Sequence, residues 1–189
     1  MNYKVEFEKL YSKKLEQLGP TYHKELYALV RREQPLTVVE TGTYHGASTL
    51  TLLAALVENA NCGVLLSFET DSRAFRVTSD LIPLAWRSRW KFYDHSVLKF
   101  FNFYTDPLAI DLFLHDSDHS YANMLAECKF AWQNLNCGGW LVVDDVHWGN
   151  VKYPHVATAP HNAFSDFLHW ANNPKAIKLH EQTWAVQKA

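Results

Sequence analysis

The spacing of apolar positions along the chain changes period repeatedly, and each change marks an element. Val5, Leu10, Leu15 and Leu18 stand among lysines and glutamates over residues 3 to 17, an amphipathic helical spacing that Gly19-Pro20 stops. A second helix is predicted from Thr21 to Arg32, burying Leu26, Leu29 and Val30. These two helices are expected to cover the sheet edge.

The pattern then shortens. Leu36 to Leu50 reads L-T-V-V-E-T-G-T-Y-H-G-A-S-T-L: a β-branched run that ends on Glu40, two glycines four residues apart, and a helical period. That helix is predicted from Thr49 to Val57, with Leu50, Leu53, Ala54 and Val57 on one face, and ends at Asn61-Cys62-Gly63. Val64 to Phe68 is a nearly continuous apolar run, as in a strand buried on both faces, and it finishes on Glu69. A helix from Asp71 to Leu81 precedes Pro83. A third strand covers Trp90 to Tyr93, a short helix Val97 to Phe103, and a fourth strand Ile110 to Leu114, which ends in His115-Asp116.

Tyr121, Met124, Leu125, Cys128, Trp132 and Leu135 follow helical spacing, and Gly138-Gly139 is read as the stop. Trp140 to Val143 is the fifth strand, ending in Asp144-Asp145. Residues 146 to 160 carry no period and are read as a long loop. A helix around Ala163 to Ala171 and strands near Ala176 to His180 and Thr183 to Gln187 close the chain. Strands alternating with helices predict a Rossmann-like, doubly wound α/β fold: seven strands, mainly parallel, helices on both faces and two N-terminal helices. The expected organisation is one domain over residues 1–189, with the leading helices in 1–34 and the core in 35–189.

Composition narrows the function classes. Hydrophobic residues make up 48% and aromatics 14%, and the formal charge of -2 is spread over interspersed acids and bases, so no basic face for nucleic acid is expected. The charged N-terminus does not read as a signal peptide, and no apolar run reaches membrane-spanning length, so a cytoplasmic, soluble setting is expected. Cys62, Cys128 and Cys137 lack metal-type spacing and are expected to be reduced and buried.

In an open parallel sheet, ligands bind beyond the carboxyl ends of the strands. Those ends carry Glu40, Glu69, Asp94, Asp116 and Asp144-Asp145. Carboxylates gathered at one edge repel unless something positive joins them, and a ribose, a sulfonium cation or a divalent metal would relieve them. The turn has G-x-x-x-G rather than the G-x-G-x-x-G that makes room for a pyrophosphate, so a single adenosyl group suits it better. Glu69 is placed for two ribose hydroxyls, and Glu40 for the amino end of the ligand through water. Asp116, Asp144 and Asp145 form an all-oxygen set suited to Mg²⁺, with His147 and His119 keeping zinc as the lesser alternative. His119, close by, could take a proton from a hydroxyl. Asp118 and Ser120 are read as helix caps. His115 is left unassigned, and His155, His161, His169 and His180 are expected at the surface. Trp148, Tyr153 and Phe164 could line an acceptor pocket.

The segments V-V-E-T-G-T-Y-H-G-A-S, L-L-S-F-E-T-D, D-L-F-L-H-D-S-D-H-S-Y and G-G-W-L-V-V-D-D-V, with the closing T-W-A-V-Q-K, resemble class I S-adenosylmethionine-dependent methyltransferases in content and order. The likeness is greatest to methyltransferase domain family 24, which is similar to sugar and catechol O-methyltransferases. It implies S-adenosylmethionine on Glu40, Gly42, Thr43, Tyr44, Gly46 and Ser48, with Glu69 on the ribose. Asp94, His95 or Ser96 would read adenine, and Asp116 would close the site. It also implies Mg²⁺ on Asp116, Asp144 and Asp145, with His119 as base beside Asp116 and a small-molecule hydroxyl as acceptor. The chain departs from the family pattern at Ser117, where glycine is common, and at His115, where an aliphatic residue is common. A nucleotide-dependent oxidoreductase and an adenosyl-binding protein without chemistry are the alternative readings. Neither nucleic acid nor membrane is expected as partner, and a homo-oligomer is left open.

Overall fold

The computed structural model describes residues 22–59, 61–101, 108–147 and 159–189. The helix expected over residues 3 to 17, the start of the second at Thr21, the residues after Phe101 in the fifth, and Trp148, Tyr153 and His155 lie outside them. Helix α1 (His23–Glu33) leads into β1 (Thr37–Thr41), α2 (Ala47–Glu58), β2 (Val64–Phe68) and α3 (Ser72–Leu81). A 3₁₀ turn (Leu84–Arg89), β3 (Trp90–Tyr93), α4 (Val97–Phe101), β4 (Ile110–His115) and α5 (Tyr121–Asn134) follow. The chain closes with β5 (Leu135–Val143), α6 (Ala159–Trp170), β6 (Ala176–Lys178) and β7 (Trp184–Gln187).

These strands form one seven-stranded sheet in the order β3-β2-β1-β4-β5-β7-β6. The first five run parallel, while β7 pairs antiparallel with both β5 and β6. The expected doubly wound, mainly parallel architecture is therefore present.

Alternation along each strand sends neighbouring side chains to opposite layers. Val38, Leu112, Leu114 and Val142 pack with Leu26, Val30, Leu50 and Leu53 of α1 and α2. Val39, Phe113, Leu141 and Val143 pack with Met124 and Cys128 of α5 and Phe164 and Phe167 of α6. The same alternation places Glu40 under α2, and Thr41 and His115 under α5.

Four local expectations are corrected. Strand β1 continues to Thr41, so Glu40 lies within the strand rather than at its end. Strand β5 starts at Leu135, directly after α5, and Gly138-Gly139 fall inside it instead of stopping the helix. Pairing with β4 is irregular there, moving from Ile110↔Leu135 to Leu112↔Trp140; Gly138, at φ 82°, provides the bend. Helix α6 begins at Ala159, earlier than expected. Of the cysteines, only Cys128 is buried, because Cys62 lies in a connection and Cys137 on the exposed first half of β5.

Candidate active site

The turn after β1 is built by conformation. Gly42 has φ 81° and donates its N–H to Phe68 O at 2.9 Å. A Cβ at Gly42 would lie 1.9 Å from the Asp116 carbonyl oxygen, so the backbone at the end of β4 makes the close approach expected of a ligand. Gly46, at φ 77°, caps α2. A Cβ there would meet Thr78 at 3.0 Å, so its smallness serves contact of α2 with α3, not with the strand.

Glu69 closes the turn from the other side. Its Oε2 accepts the N–H groups of Thr43 and Tyr44 at 3.0 and 3.2 Å, and its Oε1 those of Thr70 and Asp71 at 2.7 and 2.9 Å. Beneath the turn, fully buried Glu40 accepts the hydroxyls of Thr49 at 2.8 Å and Ser67 at 2.7 Å. Burial pushes its pKa up to about 7 against the pull of nearby Ser48, Ser67 and Thr49.

At the end of β4, Asp116 Oδ2 accepts the Tyr22 hydroxyl at 2.7 Å. Burial and the neighbouring charge of Asp144 hold Asp116 well above the usual carboxylate range. The Thr183 hydroxyl donates to Asp144, whose pKa is also raised by burial. Asp145, at φ 54°, is pushed up to about 7 by burial and by Asp144. His119 Nε2 stands 3.8 Å from Asp145 Oδ2. Burial, helped by His115, lowers the His119 pKa to about 4. Both members of this contact are driven toward their neutral forms, so it is no salt bridge at neutral pH.

His119 precedes α5 and is only 18% exposed at its side chain, so it is not a first-turn surface residue. Asp118 accepts both the N–H and the hydroxyl of Ser120 at 3.0 and 2.8 Å. Ser120 holds the N-cap position without a side-chain cap bond.

His115 is fully buried and its Nδ1 lies 2.7 Å from Glu127 Oε2. That oxygen also accepts Thr41 Oγ1 at 2.6 Å and Ser117 Oγ at 3.0 Å. Burial raises the Glu127 pKa, but these bonds, led by His115, prevail and hold it below the ordinary value. Glu127 and Tyr22 are the site residues that sequence reasoning missed. Glu127 had a visible signal: an acid on the buried helical face of Met124, Cys128 and Ala131. Tyr22 had none.

A cavity of about 410 Å³ opens at this edge, and Gly42, Tyr44, Glu69, Ser96, Asp116, His119 and Glu127 all line it. Of the three residues considered for adenine, Ser96 lines the cavity, whereas Asp94 is exposed and His95 contacts it at 3.3 Å. Glu40, Thr43, Gly46 and Ser48 are buried and do not line the cavity. A second cavity of about 230 Å³ is lined by Tyr22, Asp144, Asp145, His180 and Thr183, so His180 is not a plain surface residue. The Tyr22–Asp116 bond stands between the two. Phe164 is buried and borders a third cavity of about 170 Å³ with His147 and His161.

Among the described residues, no three His, Cys, Asp or Glu side chains are grouped so as to hold a metal ion. The chemistry of Asp116, Asp144 and Asp145 still suits a hard dication, since burial raises all three pKa values and the charge of Asp144 adds to the rise at Asp116 and Asp145. Gathering them would require the Tyr22 and Thr183 hydroxyls to yield. No helix is long and apolar enough to cross a membrane among the described residues.

The crystal structure of the O-methyltransferase TomG from Streptomyces achromogenes, involved in tomaymycin synthesis and in complex with S-adenosylmethionine, has 18% identity and a TM-score of 0.70, covering 100% of this chain and 91% of that one. An O-methyltransferase from Bacillus cereus, in complex with S-adenosylhomocysteine, has 17% identity and a TM-score of 0.70 over 96% and 90%. The S-adenosylhomocysteine-bound methyltransferase PaMTH1 of Podospora anserina has 12% identity and a TM-score of 0.71 over 100% and 88%. At these identities the likeness is one of fold. No curated protein matches the sequence. The family model described as "Methyltransferase domain" matches residues 39–146, from β1 to just beyond Asp144-Asp145 and more than half of the chain. The chain thus belongs to methyltransferase domain family 24, among the class I S-adenosylmethionine-dependent methyltransferases.

Proposed function

We propose that this protein transfers the methyl group of S-adenosylmethionine to a hydroxyl of a small molecule, sugar-like or phenolic. The observation that carries the reading is the shared lining of the 410 Å³ cavity: the glycine turn and Glu69 on one side, Asp116 and His119 on the other. In this reading Gly42 and Tyr44 hold the donor, Ser96 meets its adenine, and Glu69 takes the ribose. Because Glu69 already accepts four N–H groups, the ribose hydroxyls exchange with some of them rather than adding to them.

When bound, S-adenosylmethionine would supply a sulfonium methyl open to in-line attack by the acceptor oxygen, and His119 would take the hydroxyl proton. Its low pKa keeps that ring neutral and able to accept, but makes it a weak base. Mg²⁺ held by Asp116, Asp144 and Asp145 would lower the pKa of a bound hydroxyl and so suit a weak base. Tyr22, beside the 230 Å³ cavity, holds the Asp116 carboxylate while no cation is bound and would give it up to Mg²⁺.

Thermal unfolding with S-adenosylmethionine and S-adenosylhomocysteine, each with and without Mg²⁺, tests the reading. A ligand at a hundred times its dissociation constant adds about 2.7 kcal/mol, a rise of roughly 5–10 °C for a chain of this size. A shift with the adenosyl ligands and a further one with Mg²⁺ is the expected result. No shift with either adenosyl ligand would overturn the proposal, and an adenosyl shift unaltered by Mg²⁺ would remove the metal from it.

A further inference from the structure

The 230 Å³ cavity and the 410 Å³ donor cavity meet at two side-chain contacts. Tyr22, which lines the smaller one, bonds Asp116 of the larger at 2.7 Å, and Asp145 of the smaller stands 3.8 Å from His119 of the larger. A group seated in the smaller cavity therefore lies beside both the donor space and the proposed base. One side of that cavity is the turn between β6 and β7. The N–H groups of Leu179 and His180 donate to Thr183 O at 2.9 and 3.2 Å. Val146 N–H donates to Gln182 O at 3.0 Å, which ties the turn to the chain just after Asp145. An imidazole, a carboxylate and an amide thus arrive together, from His180, Glu181 and Gln182, at a cavity that Asp144, Asp145 and Thr183 also line. The side chains of those three turn residues make no hydrogen bond among the described residues, so their donors and acceptors are open to a ligand.

Resting on the methyl-transfer reading, we infer that the 230 Å³ cavity is the acceptor site and that it takes a neutral polyhydroxylated ring, an unphosphorylated sugar or cyclitol, in preference to a phenol or an anion. Its volume is below the roughly 300–1,000 Å³ of sites for drug-sized ligands, so one ring with its substituents fills it. A phenol needs a flat apolar slot, and Tyr22 is the only carbon-rich side chain among the described residues that line this cavity. The apolar surface lies instead in the 170 Å³ cavity, against Phe164, Leu168 and Trp184. Hydroxyl groups, by contrast, both donate and accept, and so can pair with the carboxylates, the imidazole and the amide at once. Among the described residues no Lys or Arg lines the site, so a phosphate or carboxylate on the acceptor would meet acids with no cation to offset them.

Assaying the full chain with methyl-labelled S-adenosylmethionine against methyl α-glucopyranoside, inositol, catechol and glucose 6-phosphate tests this. The better of the two neutral polyols is expected to exceed catechol and glucose 6-phosphate in kcat/KM by about tenfold or more. His180→Ala and Gln182→Ala should raise KM for that polyol severalfold and leave the affinity for S-adenosylhomocysteine, read by calorimetry, unchanged. Glu181→Lys, which puts a cation on an exposed turn position, should improve glucose 6-phosphate relative to inositol. A wild-type preference for catechol or for the phosphate would overturn the inference and leave methyl transfer standing. An unmoved KM in both alanine variants would do the same, as would methylation of none of the four by a protein that binds S-adenosylmethionine. Binding of neither adenosyl ligand would instead remove methyl transfer itself.

Discussion

At Gly42 a single added methyl group would have to occupy space 1.9 Å from the Asp116 carbonyl oxygen, in a backbone conformation that side chains disfavour. Gly42→Ala is therefore expected to cost about 3 kcal/mol or more, combining left-handed strain with displacement of the β4 end. Urea unfolding checks the cost, and adenosyl affinity should fall with it because the same contact joins the two walls of the cavity. Glu40 gives a test by pH. Its folded pKa of about 7 lies above the ordinary value of 4.5, so the folded state holds the extra proton between these limits. The stability it contributes is fully present below pH 4.5 and is lost as pH rises through 7. Glu40→Gln, neutral throughout, should be nearly neutral in effect at pH 5 and stabilising at pH 8, on the order of 3 kcal/mol at most. Equal effects at the two pH values in urea unfolding would show that Glu40 titrates normally. The glycine turn was legible in the sequence because its residues are consecutive, and Glu69, Asp116 and Asp144-Asp145 because each follows closely on an apolar strand run. The Glu127 network was not, since Thr41, His115, Ser117 and Glu127 meet only after β1, β4 and α5 have packed.

Elements were legible where period and punctuation agree, as in β2 and β3, whose bounds match the expectation. They were less so where a special backbone geometry lets the chain pass from helix to strand with no connecting residue. Helix α5 ends at Asn134 and β5 starts at Leu135, and the Gly-Gly pair that reads as a stop serves a bend within the strand. Helix α1 illustrates another limit. Its apolar face is plain from Leu26, Leu29 and Val30, but nothing local shows that the residue before it reaches Asp116. Tyr22→Phe leaves that packing intact and removes one donor from a half-buried carboxylate, which should cost about 1–2 kcal/mol. Chemical denaturation at pH 7 measures it. An unchanged midpoint would mean that Asp116 is satisfied without α1.

On the scale of the molecule, the sheet has a seam. Strands β3, β2 and β1 come from the first half of the chain, and β4, β5, β7 and β6 from the second. The halves meet where Val38 pairs with Leu112 and where Asp116 donates its N–H to Thr41 O at 3.0 Å. The donor cavity lies on that seam, with Gly42 and Glu69 from one half and Asp116 and Glu127 from the other. Neither half contains the cavity alone. Closing the seam joins partners far apart in sequence, so it carries the loop-closure cost of non-local pairing. A ligand in the cavity then acts as a clasp across the two halves of the sheet, holding shut the opening by which they would part. Hydrogen exchange on the bound protein should slow together at the amides of β1 and β4, with little change in the β6–β7 hairpin.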